Sequence, residues 1–448
     1  MEFIFISETR QSFRYFSPII KHLQEVNARF LIWVNNNNAK AIKRNNFESE
    51  FLDSLSERIV FFNFDIEIKD MILSSHDSYF VSLHPPVFEL NQILIKKLDK
   101  RWIILQHGHD SFSEIYDWDF YNKVKLDNSF TRYFLIYTDF FYDKYSKWLR
   151  NSCSKKLSTA YKFYFSKKTI KVPIGLPVCS SEQKTNFRNV KEKKGKLLYL
   201  PFPYSEDRKN IPYAEKGSYA WEFIFSGRHI RRKDNSQILQ NKGNIIYWFY
   251  DLYHLLRGFS TSIFKYEAWK LLFKGISEKK VLIKVREFCD KNNLDLVIKS
   301  RKKFNINQFA YKVADQVIED NETSQCPSLF QKAVQDSDIV LGYASTAVLE
   351  VAYLKKPYVN IELPPIFFNN DDNRIELFNY TEGSIFNYKT IVRSFSIEYL
   401  INYFSSKKLS EFSVSYEDFA SYKKMYLNQG NARPEKNFYG YFSNIEKN

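Results

Sequence analysis

The chain has 448 residues, of which 44% are hydrophobic and 18% aromatic, enough for two domains with cores of their own and too apolar for a disordered chain. Its formal charge is +15, and roughly half of that comes from residues 188–242, where 13 Lys and Arg stand against 6 Asp and Glu. The four cysteines, Cys153, Cys179, Cys289 and Cys326, show no CxxC spacing and no even ladder, which argues against a zinc ribbon or a disulfide framework and for a reducing compartment.

Residues 2–6 (EFIFI) read as a strand, 13–25 as a helix and 29–34 (RFLIWV) as a second strand, the alternation of a parallel α/β sheet. The apolar run Phe3 to Ile6 is too short for a signal peptide, and no run reaches the length of a membrane span, so a cytoplasmic protein is expected. Strands at 79–83, 102–105, 133–138 and 171–174, with a helix at 87–98, continue the rhythm. Asn35 to Asn38 read as a turn. Residues 1–185 thus form one Rossmann-like domain, and the charged stretch 180–196, poor in apolar residues, is the linker.

A second Rossmann-like domain is expected over 196–395. Its strands fall at 197–200, 294–298, 315–318, 338–341 and 358–361, with helices at 278–292, 328–335 and 345–355. An insertion at about 203–276 interrupts it. The insertion carries Arg228-His229-Ile230-Arg231-Arg232-Lys233 and then Tyr247-Trp248-Phe249-Tyr250, Tyr266, Trp269 and Phe273 among Arg257, Lys265 and Lys270. Basic residues mixed with aromatics fit an anionic membrane surface; the plainer alternative is an aromatic helical core beside a solvated basic loop. No nucleic-acid motif accompanies the charge, so nucleic acid is not an expected partner. Residues 396–448 read as helices rich in Tyr, Phe and Lys.

Ligands of doubly wound sheets bind outside the carboxyl ends of the strands, so the loops that follow strands are where chemistry is sought. Residues 336–361, DSDIVLGYASTAVLEVAYLKKPYVNI, turn from an apolar strand at Gly342 into a helix. Ser345 and Thr346 are N-cap types, which predicts a helix start with free backbone N–H groups, an anion site. Glu350 lies four residues beyond Thr346, one turn up the same face, so a nucleotide would set phosphate on the hydroxyls and ribose on the carboxylate. In the first domain, Gln106-His107-Gly108-His109-Asp110 offers a histidine suited to take a proton at neutral pH. Asp110 and Glu8 are carboxylate alternatives for that base, and a hydrogen-bonded structural histidine is the plainer reading of His107. His107-x-His109 alone makes no metal site, because a nearby third ligand is missing. Lys299 and Arg301, after another strand of the second domain, supply positive charge for a leaving nucleotide.

The pattern D-S-D-I-V-x4-S-T-x3-E-x5-K-P-x-V resembles the donor-nucleotide segment of GT-B glycosyltransferases, in particular bacterial surface-polysaccharide transferases related to the CDP-glycerol glycerophosphotransferase and capsule Kdo- and sialyltransferase groups. The resemblance implies two Rossmann-like doubly wound domains facing across a cleft, with a C-terminal helix crossing back to the first. It also implies sugar transfer from a nucleotide-sugar co-substrate to a saccharide or lipid-linked acceptor, without a divalent metal or other cofactor; the basic and aromatic insertion would place such an enzyme peripherally at the inner face of the membrane. His107 followed by Gly108 is similar to the strand-end His-Gly of the glycerophosphotransferases, whose histidine is implicated in catalysis. Gly342, Tyr343, Ser345, Thr346 and Glu350, with Lys299 and Arg301, would hold the donor. Lys299-Ser300-Arg301-Lys302 stands where relatives often have Lys-x-His-Pro, so either Arg301 replaces the histidine or the donor is held differently. Gly342-Tyr343-Ala344-Ser345 replaces Asp-Tyr-Ser-Ser, which weakens a CDP-glycerol donor. A sugar-nucleotide 2-epimerase shares the fold and the Glu-bearing helix and is the alternative enzyme; a catalytically inactive carbohydrate- or nucleotide-binding partner of another transferase is the non-enzyme alternative.

Overall fold

The structure is a computed structural model and describes residues 1–7, 10–35, 55–62, 67–75, 77–83, 101–107, 133–151, 169–178, 194–201, 278–301, 308–320, 326–362 and 380–447. Its first half runs β1 (Glu2–Ser7), α1 (Arg10–Glu25), β2 (Arg29–Asn35), β3 (Ile59–Phe62), α2 (Glu67–Ser74), β4 (Ser78–Ser82), β5 (Trp102–Leu105), β6 (Tyr133–Ile136), α3 (Asp139–Asn151) and β7 (Ile170–Pro173). These seven strands form one parallel sheet in the order β3-β2-β1-β4-β5-β6-β7. The order reverses between β1 and β4, which is where such a sheet opens a crevice at its carboxyl edge.

The second half repeats the design with β8 (Gly195–Leu200), α4 (Glu278–Lys291), β9 (Leu294–Arg301), α5 (Gln308–Val313), β10 (Gln316–Asp320), α6 (Leu329–Gln335), β11 (Ile339–Tyr343), α7 (Ala347–Tyr353), β12 (Tyr358–Glu362) and β13 (Val392–Ser396). Its sheet is also parallel, in the order β10-β9-β8-β11-β12-β13, with the reversal between β8 and β11. The protein is therefore built of two Rossmann-like doubly wound units, as the strand–helix alternation predicts.

Central strands are covered on both faces, which is why they read as continuous apolar runs rather than alternating ones. All five residues of β11 are buried. Ile339, Leu341 and Tyr343 pack toward Val281, Val285 and Phe288 of α4, while Val340 faces the Val348, Leu349 and Val351 side of α7. Of the four edge strands, β7 and β10 fall where strands were expected, at 171–174 and 315–318, and β3 and β13 escaped the sequence reading. β3 has only four residues, with Val60 and Phe61 exposed, and β13 is VRSFS, so neither shows a buried-strand pattern.

After β13 the chain forms α8 (Ile397–Tyr403), α9 (Tyr416–Tyr422), a π-helical turn (Lys423–Leu427) and α10 (Pro434–Lys447). Phe438 and Phe442 of α10 close on Phe3 of β1, with ring centroids at 4.9 and 5.8 Å. The π-helical turn touches both halves. The N–H of Leu176 donates to the Leu427 carbonyl at 2.7 Å, and the Tyr426 hydroxyl donates to the Gly383 carbonyl at 2.5 Å. Among the described residues no helix is long and apolar enough to cross a membrane. Cys289 is a buried free thiol, whereas Cys326 is disulfide-bonded, a bridge that the cysteine spacing did not indicate. The helix expected at 87–98 and the insertion at about 203–276 lie outside the described residues.

Candidate functional site

The turn from β11 into α7 is held by packing. A β-carbon added to Gly342 would stand 2.7 Å from the Tyr358 hydroxyl and 3.0 Å from Leu200 Cβ, so glycine here makes room for the neighbouring strands. Tyr358 is buried, and that burial pushes its hydroxyl well above the ordinary range, the opposing hydrogen bond with Ser345 being the smaller influence. The phenol stays protonated and donates to the Tyr343 carbonyl at 2.7 Å. Gly342→Ala should therefore lower stability by about 1–3 kcal/mol through overpacking, read as a lower denaturant midpoint at unchanged slope. A midpoint equal to that of the parent chain would show that the neighbours yield freely.

The start of α7 corrects one expectation. Ala347 N–H donates to Ser345 Oγ at 3.3 Å, Val348 N–H to the Ser345 carbonyl at 3.2 Å, and Leu349 N–H to the Thr346 carbonyl at 3.1 Å. Those three amides are used within their own turn rather than left for an anion. Thr346 takes the cap position with helical angles and no side-chain cap bond.

Glu350, in the first turn of α7, is 3% exposed. A carboxylate that deep needs charge or hydrogen-bond partners. It has two. Arg14, from α1 of the first domain, forms an ion pair with Glu350 Oε1, and Gln331 Nε2 donates to Oε2 at 3.2 Å. The Gln331 amide cannot turn round without loss, because it closes a capping box at the start of α6. Its Oε1 accepts from Ser328 N–H at 3.0 Å, and Ser328 Oγ accepts from Gln331 N–H at 3.1 Å. The capping box therefore aims the donor end of Gln331 at the glutamate.

Phe330, the residue before it, is buried and has a cation on each of two approaches. The Arg14 guanidinium carbon lies 5.2 Å and the Lys299 ammonium 5.6 Å from its ring centroid. Lys299, near the end of β9, pairs with Asp320, the last residue of β10, at 2.9 Å, and both are more than nine-tenths buried. Two cation–carboxylate pairs thus flank one aromatic ring where the carboxyl edges of the two sheets approach.

His107 follows β5 and is 7% exposed, with its ring edge-on to Tyr15 at 6.1 Å between centroids. Gln106 beside it is fully buried. The Gln106 N–H donates to the Leu135 carbonyl and its Oε1 accepts from Tyr137 N–H, each at 2.9 Å, which anchors the strand end carrying the histidine. Helix α1 links the two groups: Tyr15 meets His107, and Arg14 meets Glu350.

Of the residues singled out by sequence, Lys299 and Glu350 join this cluster, and Ser345 and Thr346 stand at the head of the helix bearing Glu350. Tyr343 is not brought to them, since its ring lies in the core on the α4 face. Glu8, Asp110, Gly108 and His109 lie outside the described residues, and Arg301 is described in its backbone only. Sequence reasoning missed Arg14, Asp320, Phe330 and Gln331. Asp320 had a signal, as an acid ending a strand next to the strand of Lys299. Arg14 had none, being one arginine in an amphipathic helix.

No protein-family model matches the chain, and no curated protein matches it in sequence. Among solved structures it is similar to UDP-GlcNAc 2-epimerase from Methanocaldococcus jannaschii, 11% identical over 99% of this chain and 100% of that one, with a TM-score of 0.49. It is similar also to Arabidopsis thaliana UGT89C1 complexed with quercetin, 10% identical over 99% of each chain, with a TM-score of 0.48. A third is Anabaena Alr3699/HepE in complex with UDP and glucose, 9% identical over the full length of both, with a TM-score of 0.41.

Proposed function

We propose that the chain is a glycosyltransferase that moves a sugar from a nucleotide-sugar donor to a saccharide or lipid-linked acceptor of surface-polysaccharide assembly. The observation that carries this reading is the buried Glu350, oriented by Gln331 and met by a cation of the opposite domain at the carboxyl edges of two doubly wound sheets. Ligands gather at such edges, and a fixed carboxylate is the group that a ribose diol selects. Lys299 supplies positive charge beside it for the leaving nucleotide, and His107 on the first domain serves as the base for the acceptor hydroxyl. The basic and aromatic insertion at about 203–276 serves in this reading to keep the enzyme at an anionic membrane surface.

The test begins with thermal shift on CMP, CDP, UDP and GDP, since a ligand that binds only the native state raises its stability. One nucleotide should raise the unfolding midpoint, and Glu350→Ala and Ser345→Ala should weaken its binding while the fold stays intact. Glu350→Ala is expected to cost about tenfold or more, the range of hydrogen bonds to a charged group. Unchanged affinity in both variants removes the donor site from this helix. Labelled sugar nucleotides then separate the chemistries: transfer to an added acceptor supports the proposal, epimerisation without acceptor assigns a sugar-nucleotide epimerase, and binding without turnover assigns a non-catalytic partner.

A further inference from the structure

We propose that Arg14 is a positioning residue for the donor's diphosphate and exchanges Glu350 for phosphate when the nucleotide binds; this rests on the nucleotide-sugar reading above. Phosphate in such a site must be neutralised by something. The first three amides of α7 are already bonded within their own turn, so the task falls to side chains. Lys299 is one cation, and it is shared with Asp320 at 2.9 Å. Arg14 is the second cation at the same ring, with both charges within 5.6 Å of the Phe330 centroid.

Three features suit Arg14 to the exchange. Its side chain is 18% exposed against 4% for Glu350, so solvent reaches part of the arginine while its Nε and Nη2 and the carboxylate are enclosed. Glu350 keeps a partner when the arginine moves, because Gln331 holds Oε2 and is itself fixed by the Ser328 capping box. A guanidinium also binds phosphate oxygens through two parallel N–H groups, a geometry that an ammonium cannot copy. The movement frees one oxygen of Glu350 for the ribose diol at the moment the diphosphate engages. Because Arg14 belongs to the first domain and Glu350, Phe330 and Lys299 to the second, the same exchange ties the donor to both domains.

The experiment is calorimetric titration of the full chain with uridine, UMP and UDP and with the cytidine series. The titrations are made on the parent chain, Arg14→Ala, Arg14→Lys and the double variant Arg14→Ala/Glu350→Gln, with unfolding midpoints recorded for each. Arg14→Ala should bind the preferred diphosphate about 10- to 100-fold more weakly, the range of a charge-assisted pair, while the matching nucleoside binds as before or more tightly. Arg14→Lys should recover part of the loss. The double variant removes both charges of the pair, so it guards against a folding defect, and its preference for diphosphate over nucleoside should still fall. If Arg14→Ala weakens nucleoside and diphosphate equally, or neither, Arg14 only clasps the domains and the exchange is overturned. If the parent chain binds no nucleotide of either series and GDP does not bind it either, the transferase reading fails and the exchange falls with it.

Discussion

His107→Ala is expected, on the proposed function, to lower kcat for sugar transfer by about 10²- to 10⁴-fold while donor affinity changes little, because general base catalysis contributes on that order and the proposed donor residues Lys299, Ser345, Thr346 and Glu350 lie on the other domain. The histidine ends β5, is anchored by the buried Gln106, and lies against Tyr15 of the helix whose next-door Arg14 reaches Glu350. The measurement is a pair: steady-state kinetics with saturating donor, and nucleotide affinity by calorimetry. A folded, donor-binding, inactive variant supports the base. A structural histidine behaves otherwise, since its loss would cost about 1–3 kcal/mol of stability and leave the surviving molecules near normal turnover. Full turnover in His107→Ala, joined to inactivity in Asp110→Asn or Glu8→Gln, moves the role to a carboxylate.

Lys299→Ala is expected to lower kcat by about 10²- to 10³-fold, since a fixed charge aimed at a leaving group acts in the transition state more than in the ground state. The same substitution strands Asp320, which is 7% exposed, and breaking a buried pair from one side costs about 3–5 kcal/mol. Lost activity alone would therefore say little. The informative variant is Lys299→Ala/Asp320→Asn, which removes both charges and should restore most of the unfolding midpoint without restoring turnover. Recovery of turnover together with stability would reduce Lys299 to a structural partner of Asp320. Lys299→Arg should retain part of the activity if charge is what counts.

The sequence by itself determined the two doubly wound sheets, because that information is local. A strand covered on both faces must be apolar along its length, as Ile339 to Leu341 is, and a helix lying on it must repeat its apolar residues as Val348, Leu349, Val351 and Ala352 do. The position of Glu350 one turn into its helix was legible for the same reason, as was the strand end bearing His107. The edge strands β3 and β13 were not legible, since β3 is only four residues long with Val60 and Phe61 exposed and β13 reads VRSFS, whereas the other two edges, β7 and β10, were expected.

Only the tertiary structure decided what those residues meet. That the α7 amides are bonded by Ser345 and Thr346 depends on how tightly the turn closes. That Gly342 yields space to Tyr358 and Leu200, and that the Tyr343 ring falls on the α4 face, depends on strand register. The partnership of Arg14 with Glu350, and the placing of Arg14 and Lys299 about Phe330, arises where two separately folded sheets bring their carboxyl edges together. No period in the chain encodes that meeting: charge pairs between domains are selected by the packing of whole surfaces, and a single arginine on an amphipathic helix carries the same local pattern whether it faces water or a buried glutamate.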